Sequence, residues 1–255
     1  MAWERELEVA RRLARRAAEQ ALRMRGDGVA AEAKPDRTLV TAADREGERL
    51  IAAGLSEEFP DDGLLGEEGA VRESRSGRKW IVDPVDGTVD YLRGIPAWSV
   101  LIALEDASGV VMGVCYLAEL GEMYWAARGQ GAYRDGNLLR ASGVVQPGEA
   151  VLCVNALQKL SGSEWGIKVL GLMSRFRAVR CFGGCHDAML VASGRAEAWI
   201  EPAAWPWDLA ALKIIAEEAG AVFLNFDGGA NIYGGNCVIV TPALAPVVRE
   251  ALAIP

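Results

Sequence analysis

Histidine is nearly absent from this chain, which has one, His186, in 255 residues. A zinc site built from several imidazoles is therefore excluded, as are most Ser-His and Cys-His catalytic groups. Cysteine is also scarce: the five residues are odd in number and lie mostly in apolar stretches, which favours packed, reduced thiols in a cytoplasmic protein. Cys181 and Cys185 lie beside His186 but lack the further ligands that zinc requires.

Long apolar runs and an excess of positive charge are missing as well. No stretch reaches the roughly 20 apolar residues of a membrane span, and early acids argue against a signal peptide. Lysine and arginine total 27 against 35 aspartates and glutamates, a net charge of −8, which disfavours nucleic acid as the main partner. In residues 3–25, apolar residues at helical spacing alternate with acids and arginines. This pattern predicts a solvated amphipathic helix rather than a membrane-surface one.

The most informative segment is DPVDGT, residues 83–88. An apolar run leads into it and predicts a buried strand that delivers a turn to a sheet edge. Pro84 keeps the preceding acid extended, Gly87 permits close backbone approach, and Thr88 can begin a short helix. Two carboxylates beside a helix N-terminus suit a magnesium-assisted reaction of a phosphate.

Similar residue patterns also occur in surface turns and in two other kinds of metal site. Asp-Pro and Asp-Gly are ordinary turn dipeptides, so an isolated match would be a surface turn. Pro84 stands where a haloacid-dehalogenase-type phosphatase needs its nucleophilic aspartate. An EF-hand needs acids at alternating positions, and Pro84, Val85 and Gly87 break that alternation. A metal site here therefore needs partners elsewhere in the chain.

Two further acidic segments supply such partners. A short apolar strand ends in the paired acids of GEEG, Glu67 and Glu68, and Asp208 begins a long amphipathic helix within WDLAAL. Asp208 alone would be read as a helix cap. Since histidine chemistry is excluded, hydrolysis of a phosphoester would use oxygen ligands and a metal-activated water, without a covalent intermediate.

GEEG, DPVDGT and WDLAAL occur in the order and approximate spacing of the inositol monophosphatase family, which the chain resembles over residues 34–241. The resemblance implies a mixed α/β, layered αβαβα sugar-phosphatase fold. It also implies Mg²⁺-dependent hydrolysis of a small alcohol phosphate, lithium sensitivity and a homodimer. Two Mg²⁺ ions are expected, and a third, weaker one is left open.

The resemblance also assigns roles to residues. Glu67, Asp83 and the Val85 carbonyl would hold one ion, and Asp83, Asp86 and Asp208 a second. Glu67 and Thr88 match the pair that orients and deprotonates the attacking water. The expected catalytic residues are Glu67, Thr88 and Asp44; the metal ligands are Glu67, Asp83, Val85, Asp86 and Asp208; the phosphate or substrate contacts are Gly87, Thr88, Gly184, Cys185, Glu201 and Lys34.

Residues 34–44 match a mobile loop of the family that supports the metal cluster through Lys34 and Asp44. Thr41 and Asp44 also have the spacing of a capping box that opens a helix to about Phe59. The two interpretations are compatible, because one carboxylate can cap the helix and face the site.

Periodicity predicts mixed helices and strands, with a Gly/Ser/Pro-containing stretch at 141–148 as the boundary between two lobes. The lobes are an α+β half, 1–142, with GEEG and DPVDGT, and an α/β half, 143–255, with the WD motif. Helices are expected at about 3–25, 42–59, 88–93, 164–174, 186–193, 207–219 and the C-terminus. Strands are expected near Leu64 and Trp80 and at about 98–105, 110–117, 122–127, 151–155, 178–182, 196–201, 221–226 and 237–241, with a hairpin around residues 135–137.

The substrate is less well specified by the sequence. Stretches around residues 93–98 and 125–131 resemble the histidinol-phosphate phosphatase branch, although that branch often has an acid where Gly184 stands. Asp90 and Asp187 would suit a cationic substrate. Histidinol phosphate is favoured, with inositol 1-phosphate close behind. Fructose 1,6-bisphosphate or a 3′-phosphonucleotide is an alternative, although no basic cluster flanks the motifs, and a non-catalytic, dimeric regulatory binding protein is another.

Overall fold

The computed structural model describes residues 3–28, 30–34 and 39–255, and the following account is of those residues. Residues 35–38, part of the predicted mobile loop, lie outside them. The helices are α1 (Glu4–Gly26), α2 (Ala42–Glu58), α3 (Thr88–Arg93), α4 (Leu157–Leu160), α5 (Trp165–Met173), α6 (Gly184–Ala192), α7 (Pro206–Glu218) and α8 (Ala245–Leu252).

The strands form a two-stranded, an eight-stranded and a five-stranded sheet. The orders are β1-β2, β10-β9-β8-β7-β6-β5-β3-β4 and β12-β11-β13-β15-β14. The bounds are β1 (Ala31–Ala33), β2 (Leu39–Thr41), β3 (Gly63–Gly66), β4 (Val71–Arg72), β5 (Lys79–Asp86), β6 (Ser99–Asp106), β7 (Gly109–Leu117), β8 (Glu122–Ala127), β9 (Ala132–Arg134), β10 (Asn137–Leu138), β11 (Val151–Val154), β12 (Ala178–Arg180), β13 (Ala198–Glu201), β14 (Val222–Leu224) and β15 (Cys237–Val240).

The eight-stranded sheet is buried on both faces, so its central strands are almost continuously apolar. On β6, Ile102 and Leu104 pack with α1 and α2, whereas Leu101 and Ala103 pack with α6 and α7 on the other face. The five-stranded sheet covers the far side of α6 and α7, and its own outer face is covered by α5 and α8. The resulting order is αβαβα, as the family resemblance implied.

Local signals account for most elements, with differences at the ends. The β5 strand continues through Asp86, where a turn was predicted from Asp83, and it shifts register against β6 between these two acids. Helix α6 begins at Gly184 instead of His186, because Asp187 accepts hydrogen bonds from the N–H groups of the preceding loop. The predictions did not include β1, β2, β4 or α4.

The two larger sheets lie on either side of residue 143 in the sequence, and α7 contacts both. The boundary at 142/143 itself stays a prediction. Across the described ranges, every helix is too short or too polar to cross a lipid bilayer. All five cysteines are free thiols; Cys181 is exposed and the other four are buried, as the apolar surroundings predicted.

Candidate metal centre

The acids of DPVDGT lie at the end of β5, next to the start of α3. Asp83 is buried, and its Oδ1 accepts a hydrogen bond of 2.9 Å from the Val85 N–H. The backbone then turns at Gly87, whose φ of 91° is in the left-handed region that favours glycine, and α3 begins at Thr88. The register shift in β5 and this turn bring Asp83 and Asp86 to the same end of the sheet.

Asp208 joins these two acids from the first turn of α7. Its Oδ2 accepts a hydrogen bond of 2.7 Å from the Trp205 N–H, so it caps the helix, as its position alone suggested. One carboxylate oxygen of each of Asp83, Asp86 and Asp208 lies within 4.8 Å of the other two. The structure therefore brings together three of the predicted metal ligands, although they are far apart in the sequence.

The electrostatics of this cluster favour a bound cation. Burial, followed by the charges of Glu67 and Asp86, raises the pKa of Asp83 well above its usual range. Burial and the Asp86 charge do the same for Asp208, and removal from water raises the pKa of Asp86 to about 6. Hard carboxylate oxygens at this separation, which repel one another when ionised, suit a divalent ion such as Mg²⁺.

Glu67 lies beside this cluster, on the turn that follows β3. Its Oε1 accepts a hydrogen bond of 2.9 Å from Lys34 Nζ, which also donates to Glu68 over 2.6 Å. Glu67 is outside the three-acid group, but its charge acts on Asp83, and both residues line the same pocket. Lys34 therefore contacts the acidic segment that it was expected to support.

Asp44 has both of the functions that its position suggested. Its Oδ2 accepts a hydrogen bond of 2.8 Å from the Thr41 N–H, which completes a capping box at the start of α2. Its Oδ1 accepts a hydrogen bond of 3.1 Å from the Thr88 hydroxyl. Among the contacts of the described residues, the Thr88 hydroxyl is thus bonded to Asp44. The joint action of Glu67 and Thr88 on the attacking water stays a prediction.

Helix α2 contacts both acidic segments, the turn after β3 and the end of β5, and the sequence did not predict these contacts. Glu48 is only 4% exposed, and its two carboxylate oxygens accept hydrogen bonds of 2.7 Å from the N–H groups of Glu68 and Ala70. A Cβ on Gly47 would lie 2.9 Å from the Cβ of Pro84, so only glycine permits this approach. The sequence signal that could have identified Glu48 is its spacing, because Glu48 follows Asp44 by one helical turn and so lies on the same face of α2.

These residues open into a pocket of about 800 Å³. Beyond the acids it is lined by Gly184, Cys185, Glu201 and Trp205, among others. Glu201 Oε2 accepts a hydrogen bond of 2.6 Å from Asn155, and burial raises the pKa of Glu201 to about 7. The predicted substrate contacts Gly184, Cys185 and Glu201 therefore line this pocket, as do Lys34, Gly87 and Thr88.

One expectation about the first turn of α6 needs correction. Asp187 is fully buried and accepts hydrogen bonds from the Phe182 and Gly183 N–H groups, so it is not a carboxylate for a cationic substrate. Both of these amides are thereby hydrogen-bonded within the chain. His186 packs against Phe182 and is not among the described pocket residues. Asp90 does line the pocket.

Comparison with known proteins gives a consistent result. The model of the inositol monophosphatase family matches residues 2–253. The chain is 39% identical to a histidinol-phosphatase of Chlorobaculum parvum over 81% of this chain and 80% of that protein. It is 34% identical to an inositol-1-monophosphatase of Mesorhizobium japonicum over 84% of each. Among solved structures, the Thermotoga maritima IMPase TM1415 matches with a TM-score of 0.89 and 28% identity, over 97% of this chain and 96% of that one.

Proposed function

The chain belongs to the inositol monophosphatase family, and we propose that this phosphatase is Mg²⁺-dependent and hydrolyses a small alcohol phosphate, with histidinol phosphate favoured over inositol 1-phosphate. The convergence of Asp83, Asp86 and Asp208 at the end of a large pocket carries the proposal. The preference for histidinol phosphate is supported by the 39% identity to a histidinol-phosphatase.

The acids would hold the ions and thereby position the phosphate. One Mg²⁺ would be bound by Asp83, Asp86 and Asp208, and another by Glu67, Asp83 and the Val85 carbonyl. The proposal does not specify whether a third, weaker ion binds near Asp44. Mg²⁺ bound there would polarise the phosphoryl group and lower the pKa of a water molecule. The surrounding carboxylates explain why the pocket would select a divalent ion over a monovalent one.

Thr88 and Asp44 provide a path for the proton of the attacking water. The Thr88 Oγ1 donates its own proton to Asp44 Oδ1, so its lone pairs are left to accept a proton from a water in the pocket. Asp44 is held by the Thr41 N–H, which fixes the direction of this hydrogen bond. Glu67 would orient the same water, and the Gly87 and Thr88 N–H groups would receive the phosphate oxygens.

Other properties follow as part of the proposal. The buried thiols suit a cytoplasmic location, and the charge of −8 gives no basis for binding nucleic acid. Family membership supports a homodimer, inhibition by lithium and no membrane partner. A bisphosphate substrate is less favoured, because the described pocket cations are Lys34, which is paired with two acids, and Lys159.

Phosphate release from a panel of esters tests the proposal. The panel consists of histidinol phosphate, inositol 1-phosphate, fructose 1,6-bisphosphate and a 3′-phosphonucleotide, each with Mg²⁺ and with a chelator. The expected result is Mg²⁺-dependent release with the highest kcat/KM for histidinol phosphate. A preference for the bisphosphate would overturn the substrate assignment, and no release from any ester would support a non-catalytic role.

A further inference from the structure

We propose that Trp205 is a specificity residue that binds the planar ring of a cationic substrate at the mouth of the pocket. The inference rests on the proposed function for the position of the phosphate, which would lie at the three-acid cluster. The sequence assigned no role to the Trp205 side chain. Three observations support the inference: Trp205 is exposed, the Trp207 ring packs on its indole, and the buried carboxylate of Glu201 lines the same pocket.

Trp205 is an exposed aromatic residue on a rigid support. It is 59% exposed and lines the pocket, although it directly precedes α7. Its N–H donates to Asp208 Oδ2 over 2.7 Å, which ties its backbone to a proposed metal ligand. Because this contact uses the main chain, the indole ring is left available, and a change of the side chain leaves the hydrogen bond in place.

Trp207 packs against one face of the Trp205 indole. The two rings are stacked, with centroids 5.7 Å apart and an angle of 19° between their planes. This offset arrangement is a favourable one for aromatic pairs. One face of Trp205 is therefore covered by a neighbouring ring, while more than half of the residue stays open to solvent and to a ligand. A preorganised ring loses little entropy when it binds a flat group.

The polar wall of the same pocket offers a carboxylate. Glu201 is 5% exposed, and Asn155 holds its Oε2 through a hydrogen bond of 2.6 Å. A Cβ on Gly184 would lie 3.1 Å from Asn155 Nδ2 and 3.6 Å from Glu201 Oε2, so the glycine keeps the approach to this pair open. The glycine that departs from the histidinol-phosphate branch thus provides space beside a buried acid.

An aromatic face and a carboxylate in one pocket favour a particular class of ligand. A cation is attracted to the electron-rich face of an indole, and a planar ring can stack on it. An alcohol phosphate that carries an imidazole ring and an ammonium group offers both features. A saturated polyol such as inositol offers neither, so its binding affinity should depend less on Trp205.

The kinetic test compares Trp205→Leu and Trp205→Phe with the wild-type protein. Trp205→Leu keeps apolar bulk but removes the aromatic face, and it should raise the KM for histidinol phosphate about tenfold, with a smaller increase for inositol 1-phosphate. Trp205→Phe should restore part of the loss. The matched control is Leu157→Ala, an exposed apolar residue of the same pocket, which should change both KM values by a similar factor.

A binding test makes the inference independent of turnover. Saturation-transfer NMR is recorded with histidinol and, separately, with myo-inositol. The imidazole protons of histidinol should receive saturation from the wild-type protein and lose most of it with Trp205→Leu, whereas myo-inositol should differ less between the two proteins. If the wild-type protein released no phosphate but showed this pattern, the proposed function would fail and the Trp205 site would stand. Equal KM increases for both esters, or transfer to histidinol that Trp205→Leu does not reduce, would overturn the Trp205 inference alone.

Discussion

Replacing Glu48 by glutamine tests whether helix α2 holds the turn that carries Glu67. The Glu48 carboxylate is nearly inaccessible and accepts two hydrogen bonds of 2.7 Å, from the Glu68 and Ala70 N–H groups. An amide keeps one acceptor oxygen and turns an NH₂ group towards the other N–H. The side-chain volume is almost unchanged, so the substitution removes a contact without opening a cavity.

The magnitude follows from the contacts. A hydrogen bond to a charged group contributes about 1.5–3 kcal/mol. Burial, which raises the pKa of Glu48, shows that the ionised carboxylate is costly to desolvate and offsets part of this loss. We expect a decrease of about 2 kcal/mol in the free energy of unfolding, or about 4–8 °C in Tm. Mutation of a residue that orients a metal ligand typically lowers metal affinity about 10- to 100-fold. The Mg²⁺ concentration for half-maximal activity should therefore rise about tenfold or more.

The assay combines thermal unfolding with Mg²⁺ titration of phosphate release. The matched control is Glu46→Gln on the same helix, where the carboxylate is exposed and pairs with Arg49 over 2.7 Å. Such a surface pair contributes at most about 1 kcal/mol to the free energy of unfolding. Its loss should leave the Mg²⁺ requirement unchanged. If Glu48→Gln lowered Tm but left the Mg²⁺ requirement at the wild-type value, Glu48 would be structural only and the reasoning would be refuted.

Three further predictions concern the same site. Thr88→Ala removes the hydroxyl that donates to Asp44; kcat should fall about 100-fold while the Mg²⁺ requirement stays within about twofold, as measured by Mg²⁺ titration of phosphate release. Gly47→Ala places a Cβ 2.9 Å from Pro84 Cβ, so thermal unfolding should show a loss of about 1–3 kcal/mol together with lower activity. The pKa values of the acid cluster, about 6 for Asp86, lie above those of an unfolded chain. The metal-free protein should therefore lose stability as pH rises through these values. Calorimetry should show a larger Mg²⁺-induced increase in Tm at pH 8 than at pH 6, because the ionised acids bind the ion more tightly.

Each of these predictions has a clear contrary result. Thr88→Ala with wild-type kcat would remove the hydroxyl from the chemistry. Gly47→Ala with unchanged Tm and activity would mean that α2 can move away from Pro84 in β5 at no cost. An Mg²⁺ effect on Tm that is equal at pH 6 and pH 8 would mean that the acids bind the ion without losing protons.

Local chemistry made much of the fold predictable from the sequence. Alternating and continuous apolar runs marked the strands, and the Thr41–Asp44 spacing marked the start of α2. The helix after Gly87 and the helix that begins near Asp208 were also recognisable from turn and capping residues. These signals depend on a few neighbouring residues, which is why single-sequence reasoning finds them.

Long-range packing was not available to the same reasoning. The convergence of Asp83 and Asp86 with Asp208 was expected only through the family resemblance, because no local pattern relates β5 to α7. The contacts of Glu48 join α2 to a turn 20 residues away, and nothing in the spacing specifies that distance. Asp187 was misread because an acid near a helix start looks the same whether it faces a ligand or the preceding backbone.

Asp83→Asn is the most direct test of the proposal that buried acids bind the divalent ions required for phosphate hydrolysis. The asparagine oxygen can still accept from the Val85 N–H, so the fold should persist while the charge is lost. In an Mg²⁺ titration of phosphate release from histidinol phosphate, the wild-type protein should require Mg²⁺, and Asp83→Asn should retain about a hundredth of its activity or less. Wild-type rates from Asp83→Asn at the same Mg²⁺ requirement would contradict the account.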